Sequence, residues 1–108
     1  MSDHFYDHGD MKQLRKLREL KPDVFKAFVD FDTKTFEDGA LNRKTKELIA
    51  VATAHITQCP YCIDAHTKRA KQAGASDTEI AESIFVAMAL RAGGSWAHSA
   101  IAMKALQE

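Results

Sequence analysis

Both cysteines of the chain fall in one ten-residue stretch, CPYCIDAHTK, from Cys59 to Lys68. Cys59 and Cys62 are three apart, and His66 follows Cys62 by four. Three chemistries fit these residue types at this spacing: a redox dithiol with its own proton acceptor, part of a metal site, or two small thiols in a core. A helix beginning at Pro60 would leave unpaired N–H groups and the positive end of its dipole near Cys59, so a low pKa is expected of both thiols. On that helix Cys62 and His66 stack on one face at i and i+4, which sets a general base beside a nucleophile. Upstream, Glu47, Val51 and His55 fall at i, i+4 and i+8, and a helix carrying them would run one edge toward the same turn. Glu47 hydrogen-bonded to His66 would orient the ring and raise its basicity. The candidate catalytic residues are therefore Cys62, Cys59, His66 and Glu47, with His55 as a further member.

The residue types alone leave the attacking thiol open. Cys59, facing the free N–H groups of a helix start, suits exchange with a partner thiol, whereas Cys62 beside His66 suits base-assisted attack. They also leave open a competing zinc-binding module in which Cys59, Cys62, His55 and His66 supply two thiolates and two imidazoles to a tetrahedral ion. Structural zinc patterns, however, join separate loops or a hairpin to a helix, and here Cys62 and His66 share one helix. The expectation is a dithiol that needs neither a metal nor an organic cofactor. His98, in the segment SWAH, is expected in a packing or capping role, and Trp96 and the cluster Phe25 to Phe36 as core or interface.

The elements that must position these groups are all helical. Two prolines, five glycines and an abundance of Ala, Leu, Lys and Glu lower the cost of helix almost everywhere, and the class is an all-α bundle of about six helices. Asp10 can cap a first helix running to about Leu20, after a frayed segment over 1–9 that holds His4 and His8. Pro22 opens a second helix ending near Gly39. Asn42 caps a third from Arg43 to about Gln58, and a fourth runs from Pro60 to Gly74. Ser76 and Glu79 form a capping box for a fifth helix through about Arg91, after which Gly93 to Ser95 break the chain before a final helix through Leu106. The chain, 1–108, reads as a single domain.

With 15 basic and 15 acidic residues the formal net charge is zero, and no stretch concentrates one sign. Nucleic acid and anionic membrane surfaces are therefore excluded as partners recognised by bulk charge. No run of about 18 apolar residues could span a bilayer, and the N-terminal stretch is polar without an apolar signal core. The expectation is a cytoplasmic protein, in which a close cysteine pair is more often catalytic or metal-binding than a permanent staple. The last third is dense in Ala, Ser and Gly, which suits close helix packing within or between subunits.

The segment ELIAVATAHITQCPYCIDAHTKRAKQAGASDTEIAESIFVAMALRAGGSWAH resembles the core of the AhpD-like alkylhydroperoxidases of the carboxymuconolactone decarboxylase superfamily. The family pattern is a Glu, a twelve-residue step to the first Cys of a C-x-x-C, and a His four residues past the second Cys. Glu47, Cys59, Cys62 and His66 occupy those positions, and RAGGSWAH matches a turn typical of the superfamily. The resemblance covers about Asn42 to Leu106. It implies an all-helical subunit that assembles as a homotrimer or homohexamer and reduces hydroperoxides. In that scheme Cys62 attacks the peroxide, Cys59 closes a disulfide, His66 and Glu47 relay protons, and an external dithiol or thiol-protein reductant resets the pair. The decarboxylase branch generally lacks the cysteine pair, which sets this chain on the redox side. It departs from the best known member, a longer protein with a duplicated architecture, in carrying Tyr61 where that protein has a histidine between the cysteines.

Overall fold

Prolines at two helix starts and polar side-chain caps at two others decide where the chain turns. The computed structural model describes residues 12–108, and its elements are α1 (Leu14–Leu20), α2 (Pro22–Phe36), α3 (Arg43–Thr57), α4 (Pro60–Gln72) and α5 (Asp77–Ala105), with no strand among the described residues. The frayed segment over 1–9 and the Asp10 cap lie outside the described residues; within them α1 follows Gln13, which makes no side-chain cap.

Asn42 accepts the Thr45 N–H at 2.8 Å through Oδ1 and so starts α3 as the sequence indicates. Ser76 and Glu79 exchange side-chain-to-backbone bonds of 3.1 and 2.9 Å, closing the expected capping box on α5. At the end of α4, Gly74 takes φ +98°, and the N–H groups of Gly74 and Ala75 return to the carbonyls of Lys71 and Ala70. That is a Schellman ending, in which a residue without a side chain holds the left-handed position. Gly39 plays no such part: α2 stops at Phe36, with Glu37 already extended.

Five helices, not six, are present among the described residues, because α5 runs for 29 residues straight through Gly93 to Ser95. Glycine raises the cost of helix by about 1 kcal/mol relative to alanine but removes no hydrogen bond, unlike proline. Good helix formers on both sides carry the ladder across, and the result is a rod about 44 Å long. Glycine pairs end helices when a left-handed turn is stabilised beyond them, and nothing here supplies one.

The core is small and centred on α3, which packs against both α4 and α5. Val51, Ala70, Ala75 and Ile80 form it, with Leu48 and Ile84 packed alongside. Its two largest fully buried side chains are Val51 and, unexpectedly for a core, Glu47. By contrast, no residue beyond Ala87 is buried, and Val24, Phe28, Phe31, Phe85, Leu90, Trp96 and Ile101 are all more than half exposed. No helix among the described residues is long and apolar enough to cross a membrane.

Candidate active site

A single residue, Gln58, joins α3 to the Cys59 turn. It adopts the left-handed conformation (φ 58°, ψ 46°), a costly one for a residue with a side chain, and the Cys59 N–H reaches back to the Ala54 carbonyl at 3.2 Å. The chain therefore reverses within one residue and holds Cys59 against the end of α3. Cys59 is the N-cap of α4: its Sγ accepts the Cys62 N–H at 3.3 Å, the place an Asp or Ser oxygen usually takes.

The cysteines are free thiols, both partly buried. Their ionisation is split. A hydrogen bond from the Cys62 thiol, helped by the N–H groups of Cys62 and Tyr61, holds Cys59 below the usual thiol range against the opposing effect of burial. Cys62 is pushed up to about 11, first because it donates that hydrogen bond, then by burial and by repulsion from a Cys59 thiolate. A low pKa for both thiols was expected, and only Cys59 has it. The first ionisation belongs to the pair: once one thiol proton has left, the remaining one is held by Cys62 and directed at the Cys59 sulfur.

One turn along α4, the His66 Nδ1 donates to Oε1 of Glu47 at 2.6 Å. This bond spans two helices and fixes the tautomer, leaving Nε2 as the ring nitrogen able to take a proton. Glu47 is fully buried, and its other oxygen, Oε2, has no hydrogen-bond partner among the described residues. A carboxylate so placed depends on His66 for its satisfaction as much as His66 depends on it for orientation. The Phe36 ring, arriving from α2, stacks on the imidazole with centroids 5.2 Å apart and planes 23° off parallel.

Cys62 and His66 open together onto a cleft of about 430 Å³. Phe36, Ile49, Ala50 and Ala54 make its apolar wall, and Asp32 and Lys46 stand on its polar side. Cys59 is not among the lining residues. The two sulfurs thus have different outlooks, Cys62 toward the cleft and Cys59 at the helix mouth.

The structure brings together Glu47, His66 and Cys62, with Cys59 one turn away. The edge Glu47, Val51, His55 exists, with its first two members buried, but the His55 Nδ1 donates to the Val51 carbonyl at 2.7 Å and His55 does not line the cleft. His98 bonds the Gly94 carbonyl at 2.8 Å and lines a separate hollow with Ile56 and Arg91. Among the described residues no three His, Cys, Asp or Glu side chains converge as metal ligands would, so Cys59, Cys62, His55 and His66 do not form a tetrahedral set within one chain. Sequence reasoning missed Phe36 and Lys46: the first looks like core, the second like a solvated helix charge, and only the fold of α2 over α3 sets Phe36 on the imidazole and Lys46 in the same cleft lining.

Comparison with known proteins agrees with this architecture. Residues 22–105 match the family model described as the Carboxymuconolactone decarboxylase family, so the likeness takes in α2 as well as the helices from Asn42 onward. An uncharacterised protein of the cox locus of Paracoccus denitrificans is 49% identical over 82 residues, 76% of this chain and 74% of that protein. A carboxymuconolactone decarboxylase family protein from Legionella pneumophila is 36% identical with a TM-score of 0.71, over 91% of this chain and 88% of that one. Another from Thermotoga maritima, for which an antioxidative role has been suggested, is 30% identical with a TM-score of 0.57, over 75% of this chain and 93% of that one. An all-helical fold that matches solved members of the family, together with a family match across four-fifths of the sequence, makes this chain a member of the carboxymuconolactone decarboxylase family with an AhpD-like fold.

Proposed function

We propose that the protein is a cysteine-dependent peroxidase and thiol-disulfide oxidoreductase, working through Cys59 and Cys62 with His66 and Glu47 as the proton relay. One observation carries the reading: Cys62 and a His66 held by a fully buried Glu47 face the same cleft. As Cys62 approaches a hydroperoxide, its proton passes to Nε2 of His66, and the sulfur attacks the terminal peroxide oxygen. The O–O bond breaks, two electrons move from sulfur to oxygen, and the leaving alkoxide takes the proton from His66 to depart as an alcohol. Cys62 is left as a sulfenic acid. The Cys59 thiolate then attacks the Cys62 sulfur, the S–S bond forms, and hydroxide leaves as water once protonated. An external dithiol, small or carried by a protein, takes up the oxidation by exchange at Cys59.

The apolar wall of the cleft suits an organic hydroperoxide. The suggested antioxidative role of the Thermotoga maritima relative agrees with the same reading. The cycle requires a reducing compartment such as the cytoplasm, where a dithiol is regenerated. It operates in a homo-oligomer, a trimer or hexamer, whose contacts cover the exposed apolar faces of α2 and α5. A second reading, a redox sensor with little turnover, is favoured by one fact: a Cys62 thiol held up to about 11 is a reluctant nucleophile at neutral pH.

Hydroperoxide consumption with a dithiol reductant, measured for wild type, Cys59→Ser and Cys62→Ser, separates these readings. The peroxidase reading expects steady turnover in wild type and loss of it in both variants. A single stoichiometric oxidation without turnover selects the sensor. Wild-type turnover in both variants would end the dithiol mechanism altogether.

A further inference from the structure

Lys46 and Glu47 are neighbours in sequence, but a helix turns successive side chains about 100° apart, and they serve different neighbours. Glu47 points into the α3–α4 contact and bonds His66 directly. Lys46 points toward the end of α2, where its Nζ donates to the Thr35 carbonyl at 2.8 Å and also to the Glu37 carbonyl. Those two carbonyls flank Phe36, whose ring lies on His66. The ammonium sits at the negative end of the α2 dipole and satisfies carbonyls that helix ending leaves without partners. It stands where a left-handed glycine cap would otherwise have closed the helix, and the chain at Gly39 passes close enough that an added Cβ would lie 3.7 Å from the Lys46 Nζ.

From this bracket we infer that Lys46 and Phe36 are positioning residues for His66. α3 holds the imidazole twice, at its edge through Glu47 and across its face through Lys46 and Phe36. The hydrogen bond alone fixes Nδ1 but leaves the ring able to rock about that contact. Stacking removes the rocking freedom, shields the Nδ1–Glu47 bond from water and keeps Nε2 aimed into the cleft. Among the described residues little else holds α2 to α3: Val24, Phe28, Val29 and Phe31 all lie exposed along it. Its grip on the site is concentrated at Thr35, Phe36 and Glu37, so the loss of one ammonium should free the ring.

The inference rests on the reading of Cys62 and His66 as the reacting pair, and two readouts keep the two ideas apart. The first is the solvent exchange of the His66 Nδ1 proton followed by NMR at one fixed pH, which reports the protection of the Glu47 bond and needs no reaction at Cys62. The second is the rate of Cys62 with cumene hydroperoxide in a Cys59→Ser background. Lys46→Met keeps the apolar stem and removes the donors; Phe36→Leu keeps most of the volume and removes the aromatic face. Each should speed proton exchange at least tenfold and slow Cys62 by about tenfold, in line with the cost of small misplacements of reacting groups. Lys46→Arg and Phe36→Tyr should restore both readouts to near wild type, which a general loss of stability would not explain.

Wild-type exchange in Lys46→Met and Phe36→Leu would overturn the inference, whatever their rates. Faster exchange with an unchanged Cys62 rate would uphold the positioning role and instead overturn His66 as the base. Should Lys46→Met fail to fold, Lys46→Gln, which retains one donor group, is read against the same two outcomes.

Discussion

The half of the molecule built from α3, α4 and the start of α5 and the half built from α2 and the rest of α5 use similar amounts of apolar sequence to opposite ends. In the first, small residues such as Ala54, Ala70 and Ala75 are buried, and the space they leave brings two helices close enough for Glu47 to reach His66. In the second, Phe28, Phe31, Phe85 and Trp96 stay exposed, Trp96 at 79%. Burial therefore does not follow hydrophobicity here. It follows the helices that must hold the dithiol, and the largest apolar side chains are reserved for surfaces that one chain leaves uncovered. A carboxylate is fully buried while a tryptophan faces outward, the reverse of the usual ranking of these side chains.

The sharpest way to break the inner half is to separate Glu47 from His66. His66→Ala would leave a buried carboxylate with neither oxygen satisfied, a change that costs about 3 to 5 kcal/mol when a buried charge loses its partner. Urea unfolding at pH 7 should show a loss of that size, together with a fall of about 10² in the hydroperoxide rate if His66 is the base. Replacing both partners, as in Glu47→Leu with His66→Ala, should recover part of the stability and none of the rate. A His66→Ala protein as stable as wild type would mean that the interhelical bond is incidental to the fold.

The dithiol tests the same half through pH. Cys59 ionises below the usual thiol range because Cys62 donates to it, and Cys62 is pushed up to about 11 for the reciprocal reason. Alkylation by iodoacetamide should mark Cys59 first as pH rises from neutral, and Cys62 only as pH approaches 11. Removing the acceptor by Cys59→Ala takes away both the thiolate repulsion and the strongest hydrogen bond, so the Cys62 midpoint should fall toward the ordinary value of about 8.5. A midpoint unmoved by that substitution would leave burial alone as the cause.

Legibility from sequence follows the same division. The starts of α3 and α5 were readable because a cap and the N–H group it satisfies lie within one turn, as with Asn42 and Thr45 or Ser76 and Glu79. Cys62 and His66 were readable as one face for the same local reason. Glu47 was legible as one end of the edge it forms with Val51 and His55, and the family spacing strengthened it, since a glutamate in a helix otherwise reads as solvated; its burial depends on α4 lying against α3. Phe36 and Lys46 were not readable at all, because their roles depend on the turn over 37–42 that folds α2 back across α3. Gly93 and Gly94 misled for the complementary reason: a strong local signal met no surrounding structure able to act on it.

The outer half can be tested where it is most exposed. If it is covered by a second copy, the single tryptophan is a reporter. Trp96 emission should lie to the blue at micromolar concentration and move red on dilution, in step with sedimentation. Trp96→Asp should weaken association at least tenfold, about 1.4 kcal/mol, since buried aromatic anchors dominate such contacts. Emission that is fully red and independent of concentration would leave the outer half uncovered by self-association.

The smallest effect bears on whether α5 is one rod or two. An alanine Cβ at Gly93 meets no atom within 4 Å, and Gly93 does not have positive φ, so the substitution adds a methyl group to open helix surface. In a continuous helix Gly93→Ala should stabilise by about 0.5 to 1 kcal/mol, through the smaller backbone freedom that alanine has to lose. A helix that broke there with a left-handed turn would respond with the opposite sign, since alanine is strained at positive φ. The measurement is best made at a concentration where Trp96 reports dissociated chains, so that intrinsic helix stability is read without the contribution of a partner. Stabilisation under those conditions that turns to loss in the assembled protein would place another backbone against Gly93, and would show that the glycine pair serves the contact between chains and not a bend within one.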